Sequence, residues 1–415
     1  MKPSRLSRRT RAAAICAGVV LTAGLGVTAC STSSSDDSSS SPSVGSTTSL
    51  PEQAATGDPV KIGFIATEGS AAVSIPEMRE GAEAAVEYVN KNGGGLAGRP
   101  IDLVVCKQQE EPTSATACAN QFVEQKVSAV LSPGTSMGAV ILPIVSGASI
   151  PYVTLNGVAA EELTSADSSA LSAGLPGSLT AMATAAKDGN MKSFTIFASD
   201  GGGLGAIVTQ MGEPVFKAMG VDLKVVAIPL GVPDASPLVT SGLAAKPDGM
   251  AVIADAATCA SVYKATVTVD PSVQKVFIPA CLDQSVVKAI GIDAIKGSPG
   301  ITATDYLSDE PGSVLYRTVI SQYAPDTAVT SAASSGYQVV MALVAATAGI
   351  NGDVNAASIK QALHSATDVA MPAGGGITFS CNGTAFPAMP SICSKQMLLG
   401  TLNDQAVPVD LKVTG

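Results

Sequence analysis

The sequence predicts an α/β fold built as two similar lobes, each a parallel sheet flanked by helices. Short apolar runs rich in β-branched residues alternate with stretches of helical period from residue 60 onward. The alternation occurs twice, over about 60–156 and 193–303, with a polar and helical stretch between. The strand-like runs are apolar almost throughout, as strands covered on both faces are.

Taken in order, the first lobe offers VKIGFIA (60–66), IDLVVC (101–106), VSAVLS (127–132) and PYVTLN (151–156). In PEMREGAEAAVEYVNKNGG, which follows the first strand, Met78, Ala82, Ala85, Val86 and Val89 share one helical face, and Gly93 to Gly95 end the helix. The second lobe offers SFTIFAS (193–199), LKVVAIPL (223–230), GMAVIAD (249–255) and KVFIPA (275–280). The tail reads as helices over 310–323, 333–350 and 355–365, then two strand-like pieces, MLLGTLN and AVPVDLKV. Ligands of open α/β sheets bind beyond the carboxyl ends of the strands, so the loops after each strand are expected to share one cleft.

The body is preceded by an export leader. Lys2, Arg5, Arg8, Arg9 and Arg11 are followed by the apolar or small residues 12–27, and Val27-Thr28-Ala29-Cys30 closes the segment. This resembles a signal peptide (1–29) ending in a bacterial lipobox, which implies that Cys30 is lipidated. The alternative is an ordinary signal peptide in which Cys30 is incidental. The Arg8-Arg9 pair lacks the apolar residues that usually follow a twin-arginine motif, so general secretion is expected. Residues 31–50 contain 11 serines and almost nothing to bury, so 30–59 is expected to be a disordered tether. No later run reaches 18 apolar residues, and the only membrane association expected is the lipid anchor.

The chain has 415 residues and is 46 % hydrophobic, enough for two medium domains with their own cores. Removing the five leader cations takes its formal charge from −10 to −15, which makes it a poor partner for nucleic acid. Outside the leader and lipobox, six cysteines remain, and an even count in an exported chain suggests disulfides. Six cysteines allow 15 pairings; the local one is Cys106–Cys118, Cys259–Cys281 and Cys381–Cys393. A metal site is the rival, but no C-x-x-C occurs and the single His stands alone, so neither metal nor cofactor is expected.

Two motifs invite catalytic readings. Gly134-Thr135-Ser136-Met137-Gly138 has the G-x-S-x-G form of a nucleophile elbow. A hydrolase needs a base, and His364 lies in a short amphipathic helix with no HGGG-type segment preceding Ser136. Small residues and hydroxyls after a strand equally suit a turn that cradles a ligand. Asp200 to Ala206 matches G-x-G-x-x-A, yet no acid closes the next strand to hold a ribose. Asn382-Gly383-Thr384 reads as a turn.

Several stretches are similar to type I periplasmic binding proteins of the Leu/Ile/Val-binding kind. They are VKIGFIATEGS…GAEAAVEYVNKNGGGLAGRPIDLVV, IPYVTLNGVAAEEL, FTIFASDGGGLGA…FKAMGVDLKVV and SSGYQVVMALVAA…AGGGITFSCNG, in order over about 60–400. The resemblance implies two Rossmann-like lobes joined by a three-crossing hinge, the type I periplasmic binding protein fold. It divides the body into an N-terminal lobe, 60–176 plus 304–378, and a C-terminal lobe, 177–303 plus 379–415. It further implies a monomeric, non-enzymatic lipoprotein that delivers a small-molecule ligand to an ABC transporter permease. The alternatives are a ligand sensor facing a membrane receptor and, last, a serine hydrolase using Ser136.

By the same resemblance, Thr135 or Ser136 would bind a ligand carboxylate. Asn156-Gly157-Val158 would hold an amino group, with Val158 where Thr is usual. Gly203 and Leu204 fall where the second lobe usually brings a Tyr. Cys281 stands near the usual acid, with Asp283 just beyond, and Asp255 and Thr258 are further candidates. Glu68, Ser70 and Ser74 complete the set, from the turn after the first strand. A ligand ammonium without its usual partners would be costly to bury. The expectation is therefore a carboxylate-bearing ligand, amino-acid-like or a more apolar acid or amide.

Overall fold

Eight consecutive strand residues, Val60–Thr67, form β1 at the inside of a parallel sheet. The computed structural model describes residues 46–70, 73–200, 203–232 and 234–415, so Cys30, the leader and the start of the tether lie outside the described residues. α1 (Pro76–Lys91), β2 (Ile101–Gln108), α2 (Pro112–Gln125), β3 (Val130–Ser132), α3 (Gly138–Gly147), β4 (Tyr152–Thr154), α4 (Ala160–Thr164) and β5 (Ser168–Ala170) follow. The strand order is β2-β1-β3-β4-β5, all pairs parallel, with Val60 opposite Ile101 and Gly63 opposite Val130. β1 buries alternate residues in two cores: Ile62 and Phe64 pack with α1 and later helices, and Ile65 packs with Phe122, Ile141 and Tyr152. Two-sided burial is why its sequence is apolar without alternation.

The second sheet follows α5 (Gly174–Asp188) and comprises β6 (Ser193–Ser199), α6 (Leu204–Ala218), β7 (Asp222–Ile228), α7 (Ser236–Leu243), β8 (Gly249–Ile253), α8 (Ala256–Val269) and β9 (Gln274–Val276). Its order is β7-β6-β8-β9, again parallel. Ile196 and Ala198 pack on the α5–α6 side, while Phe197 packs with Tyr263 and Phe277 on the other. The chain continues through α9 (Gln284–Ile290) and β10 (Pro299–Thr302). It then returns to the first core with α10 (Pro311–Tyr323), α11 (Ser331–Thr347), α12 (Ala356–Ser365), β11 (Val369–Ala370) and β12 (Thr378–Phe379). It crosses again to β13 (Met397–Leu402) and β14 (Pro408–Thr414), which pair antiparallel to each other, β13 also with β10. The chain thus passes between the two cores after β5, after β10 and before β13.

α1 and α11 cross at glycines. A Cβ on Gly81 would stand 2.0 Å from the Ala333 carbonyl oxygen, and one on Gly336 would stand 1.7 Å from that of Met78. The two backbones touch there, which no larger residue allows.

The structure corrects several expectations. β5 lies in the stretch read as polar and helical, and β3, β4 and β9 are three-residue cores of longer apolar runs. Residues 46–59, expected in the disordered tether, are docked. Fully buried Arg317 donates to the Ser46 carbonyl at 3.2 and 3.3 Å, and Thr48 N–H donates to Thr318 Oγ1 at 2.9 Å. Leu50 packs on the first core, and Ala55 N–H donates to Asn90 O at 2.9 Å. Phe379, Cys381 and Cys393, expected with the second lobe, are buried in the first core. Next to them Ile392 lies parallel to Ala170. There Ala170 N–H donates to Ser391 O and Cys393 N–H to Ala170 O, each at 2.8 Å. Disulfides join Cys106 to Cys118, Cys259 to Cys281 and Cys381 to Cys393.

Candidate functional site

The carboxyl ends of β1, β2 and β3 lie side by side because β1 sits between the other two. Thr67 closes β1, Gln108 closes β2, and residues 133–137 turn from β3 into α3. Across these ends reaches Glu110, two residues past β2 and held at φ 55°, a left-handed backbone that non-glycine residues seldom adopt. Its Oε1 accepts from the hydroxyls of Thr67 and Thr135, each at 2.9 Å. Its Oε2 accepts from Ser136 N–H at 2.9 Å and from the Ser136 hydroxyl. Thr135 is buried, and its one hydroxyl proton goes to the nearer acceptor, Glu110 rather than Gln108 Oε1 at 3.3 Å. Gln108 is fully buried, and its Nε2 has no partner.

The turn after β4 is tied to the turn after β3. Asn156 N–H and Nδ2 both donate to Pro133 O at 3.3 Å, and Ser172 Oγ donates to Asn156 Oδ1 at 2.9 Å. Gly157 sits where a Cβ would meet Leu163 at 2.9 Å. Val158 is 65 % exposed, while its N–H donates to Glu162 Oε2 at 2.9 Å. Glu162 is fully buried under Gly138, accepting also from Ala159 N–H at 2.9 Å and Tyr152 Oη at 2.8 Å. Burial, reinforced by this carboxylate, pushes the Tyr152 phenol well above its ordinary pKa. The structure therefore brings Thr135, Ser136 and Asn156 into one bonded edge.

The turn after β1 is organised differently. Arg79 Nε and Lys107 Nζ each stand 2.8 Å from a Glu68 oxygen. The hydrogen bond from Arg79 outweighs burial, with Lys107 adding to it, and holds the Glu68 carboxyl below the ordinary range. Ser74 Oγ accepts from Gly69 N–H at 3.2 Å and Ser70 Oγ from Val73 N–H at 3.5 Å, so both fold the turn onto itself.

At the second sheet, Asp255 and Asp283 follow β8 and β9 as helix caps. Asp255 accepts from Thr258 N–H and its hydroxyl, both at 2.9 Å. Burial pushes the Asp255 carboxyl up, and the Thr258 bonds more than reverse this, leaving it below its ordinary value. Asp283 accepts from Ser285 N–H at 2.8 Å. Gly203 caps α6 in the left-handed region at φ 82°, and Leu204 packs against the second core instead of standing free. Cys281 needs correction as a ligand contact. Both it and Cys259 are fully buried, bonded to each other beneath the β8 turn, with Cys281 Sγ against Val252 O at 3.5 Å. They are a staple within the second sheet's core.

Glu110, Gln108, Thr67 and Ser172 escaped the sequence reading. The signal available was Gln108-Gln109-Glu110-Glu111, a polar run directly after a predicted strand. The Ser136 hydroxyl has a carboxylate as its partner, and exposed His364 sits on α12. The turn thus lacks the imidazole that a nucleophile elbow requires.

A family model described as periplasmic binding protein matches residues 59–391. The chain belongs to this family. A search of curated proteins gives no match. Among solved structures, a leucine-binding protein from Thermotoga maritima is 18 % identical with a TM-score of 0.69, covering 86 % of this chain and 99 % of its own. A solute-binding protein of an ABC transporter from R. palustris, in complex with 4-hydroxybenzoate, is 17 % identical with a TM-score of 0.69, covering 86 % and 97 %. A fatty acid ABC transporter substrate-binding protein from Thermomonospora curvata is 14 % identical with a TM-score of 0.68, covering 88 % and 93 %. This periplasmic binding protein shares their fold, and its family is one of solute binders, not of enzymes.

Proposed function

We propose that this chain is an extracytoplasmic lipoprotein that captures a small organic solute at the carboxyl edges of its two sheets and hands it to an ABC importer. The observation that carries the reading is the family match over 59–391, which takes in both sheets and the polar turns after β1, β3, β4, β6, β8 and β9. Open α/β sheets bind ligands at such ends. Relatives of the same fold bear names that point to leucine, a fatty acid and 4-hydroxybenzoate, so the architecture accommodates unlike solutes. Lipidation at Cys30 after leader cleavage would keep the body at the outer face of the cell membrane.

The test is a melting screen of the purified full chain against amino acids, aliphatic and aromatic acids, and their amides. A captured solute raises the melting temperature in proportion to the logarithm of its concentration. No shift from any compound, together with no co-purifying small molecule in native mass spectrometry, overturns solute capture. For the anchor, Cys30→Ala is expected to release the protein from cells into the medium, and continued membrane retention overturns lipidation.

A further inference from the structure

The turn after β3 gathers four donors, the hydroxyls of Thr67, Thr135 and Ser136 and the N–H of Ser136, and all four end on the two oxygens of Glu110. Four is what a carboxylate accepts when fully satisfied. The Gln108 amide, wholly buried beside Thr135, adds a donor that Glu110 leaves without a partner. The arrangement is a receptor for a carboxylate, and the chain itself supplies the carboxylate.

We propose that Glu110 closes the Thr135–Ser136 turn to acidic solutes, so that the group a captured solute presents here is neutral or cationic and not a carboxylate. The inference rests on the solute-binding reading above and narrows its ligand class. An incoming carboxylate would find the donors taken and a like charge within contact distance. Among the described residues no cation is paired with Glu110, whereas Glu68 has Arg79 and Lys107, so the negative charge over this turn is uncompensated. Asp255 and Asp283 add carboxylates at the second sheet's edge, their partners being N–H and hydroxyl groups of Thr258 and Ser285. A solute with an acid at this position is penalised, and the removal of one side chain should lift the penalty.

The experiment follows the backbone amide resonance of Ser136 in the isotope-labelled full chain during titration with acetate at neutral pH. The wild type is compared with Glu110→Ala and with Glu110→Gly, which also relieves the left-handed backbone and so guards against a failure to fold. The expected result is a saturable shift in the variants, with acetate bound at least about tenfold tighter than by the wild type. Equal acetate affinity in wild type and variants overturns the proposal, and so does a folded variant whose Ser136 amide ignores acetate. Acetate reads the turn whether or not a solute is transported, so this inference and the solute-binding reading fail separately.

Discussion

Ser136 gives both its backbone N–H and its hydroxyl to the carboxylate of Glu110, 26 residues earlier in the chain. A turn with the outward form of a nucleophile elbow is thereby locked onto an acid from the loop after β2, across the intervening β1.

Removing that acid leaves donors behind. Glu110→Ala leaves the buried Thr135 and Thr67 hydroxyls only their longer acceptors, Gln108 Oε1 at 3.3 Å and the Gly134 carbonyl at 3.5 Å. The expected cost is about 1.5 kcal/mol, the low end for hydrogen bonds to a charged group, because weaker acceptors take over. Urea unfolding of the variant checks it, and an unchanged midpoint would show that the bonds carry no net stability.

The α1–α11 crossing should tolerate nothing larger than hydrogen. Gly336→Ala sets a methyl against the Met78 carbonyl and is expected to cost about 3 kcal/mol through forced separation of the helices. Gly349→Ala, at a position with open space, is the control and should stay within about 0.5 kcal/mol. Thermal melts of the pair decide it.

Glu68 supplies an acid-sensitive contribution. Its folded pKa is depressed, chiefly by Arg79, so the stabilisation is complete above the unfolded carboxylate pKa of about 4.3 and is lost as the pH falls through the lower folded value. Glu68→Gln should be about 1 kcal/mol less stable than wild type at pH 7. The gap should close in strongly acidic buffer. A gap independent of pH would assign the effect to packing.

Docking of residues 46–50 can be read from one amide. Thr48 N–H donates to Thr318 Oγ1, and Thr318→Val removes that acceptor. With a hydrogen bond worth about 1 kcal/mol, hydrogen exchange at Thr48 should quicken roughly fivefold. An unchanged rate would mean that the Arg317 contacts to Ser46 hold the segment alone.

Cys259 and Cys281 are both fully buried, so reductant with an alkylating agent should leave them unmodified until the chain unfolds. Replacing both by Ala is expected to cost about 3 kcal/mol for a closed loop of 22 residues. Peptide mass spectrometry detecting alkylation under native conditions would contradict this burial.

The long strands were legible because β1, β2, β6 and β7 are seven or eight residues long and each contains a run of β-branched and other apolar residues. β5 is Ser168-Ser169-Ala170 and β10 begins Pro299-Gly300; neither carries a propensity that marks a strand, and both are held by pairing with neighbours distant in sequence. Glu110 was hidden for a topological reason. Its reach depends on β1 lying between β2 and β3, and strand order is not written in any local run. Thr135 and Ser136 were legible as donors, while their acceptor, Glu110, is set by the folded sheet. The docking of residues 46–59 also lay beyond composition, because its partners, Arg317, Thr318, Asn90 and the first core, are distant in sequence.

The loop closed by Cys381 and Cys393 lies along the outer side of β5 and pairs with Ala170 through Ser391 and Cys393. β5 would otherwise offer bare N–H and C=O groups to any other chain, the common start of edge-to-edge aggregation. The disulfide-closed loop therefore occupies, within the same chain, an edge on which a second molecule could otherwise add a strand.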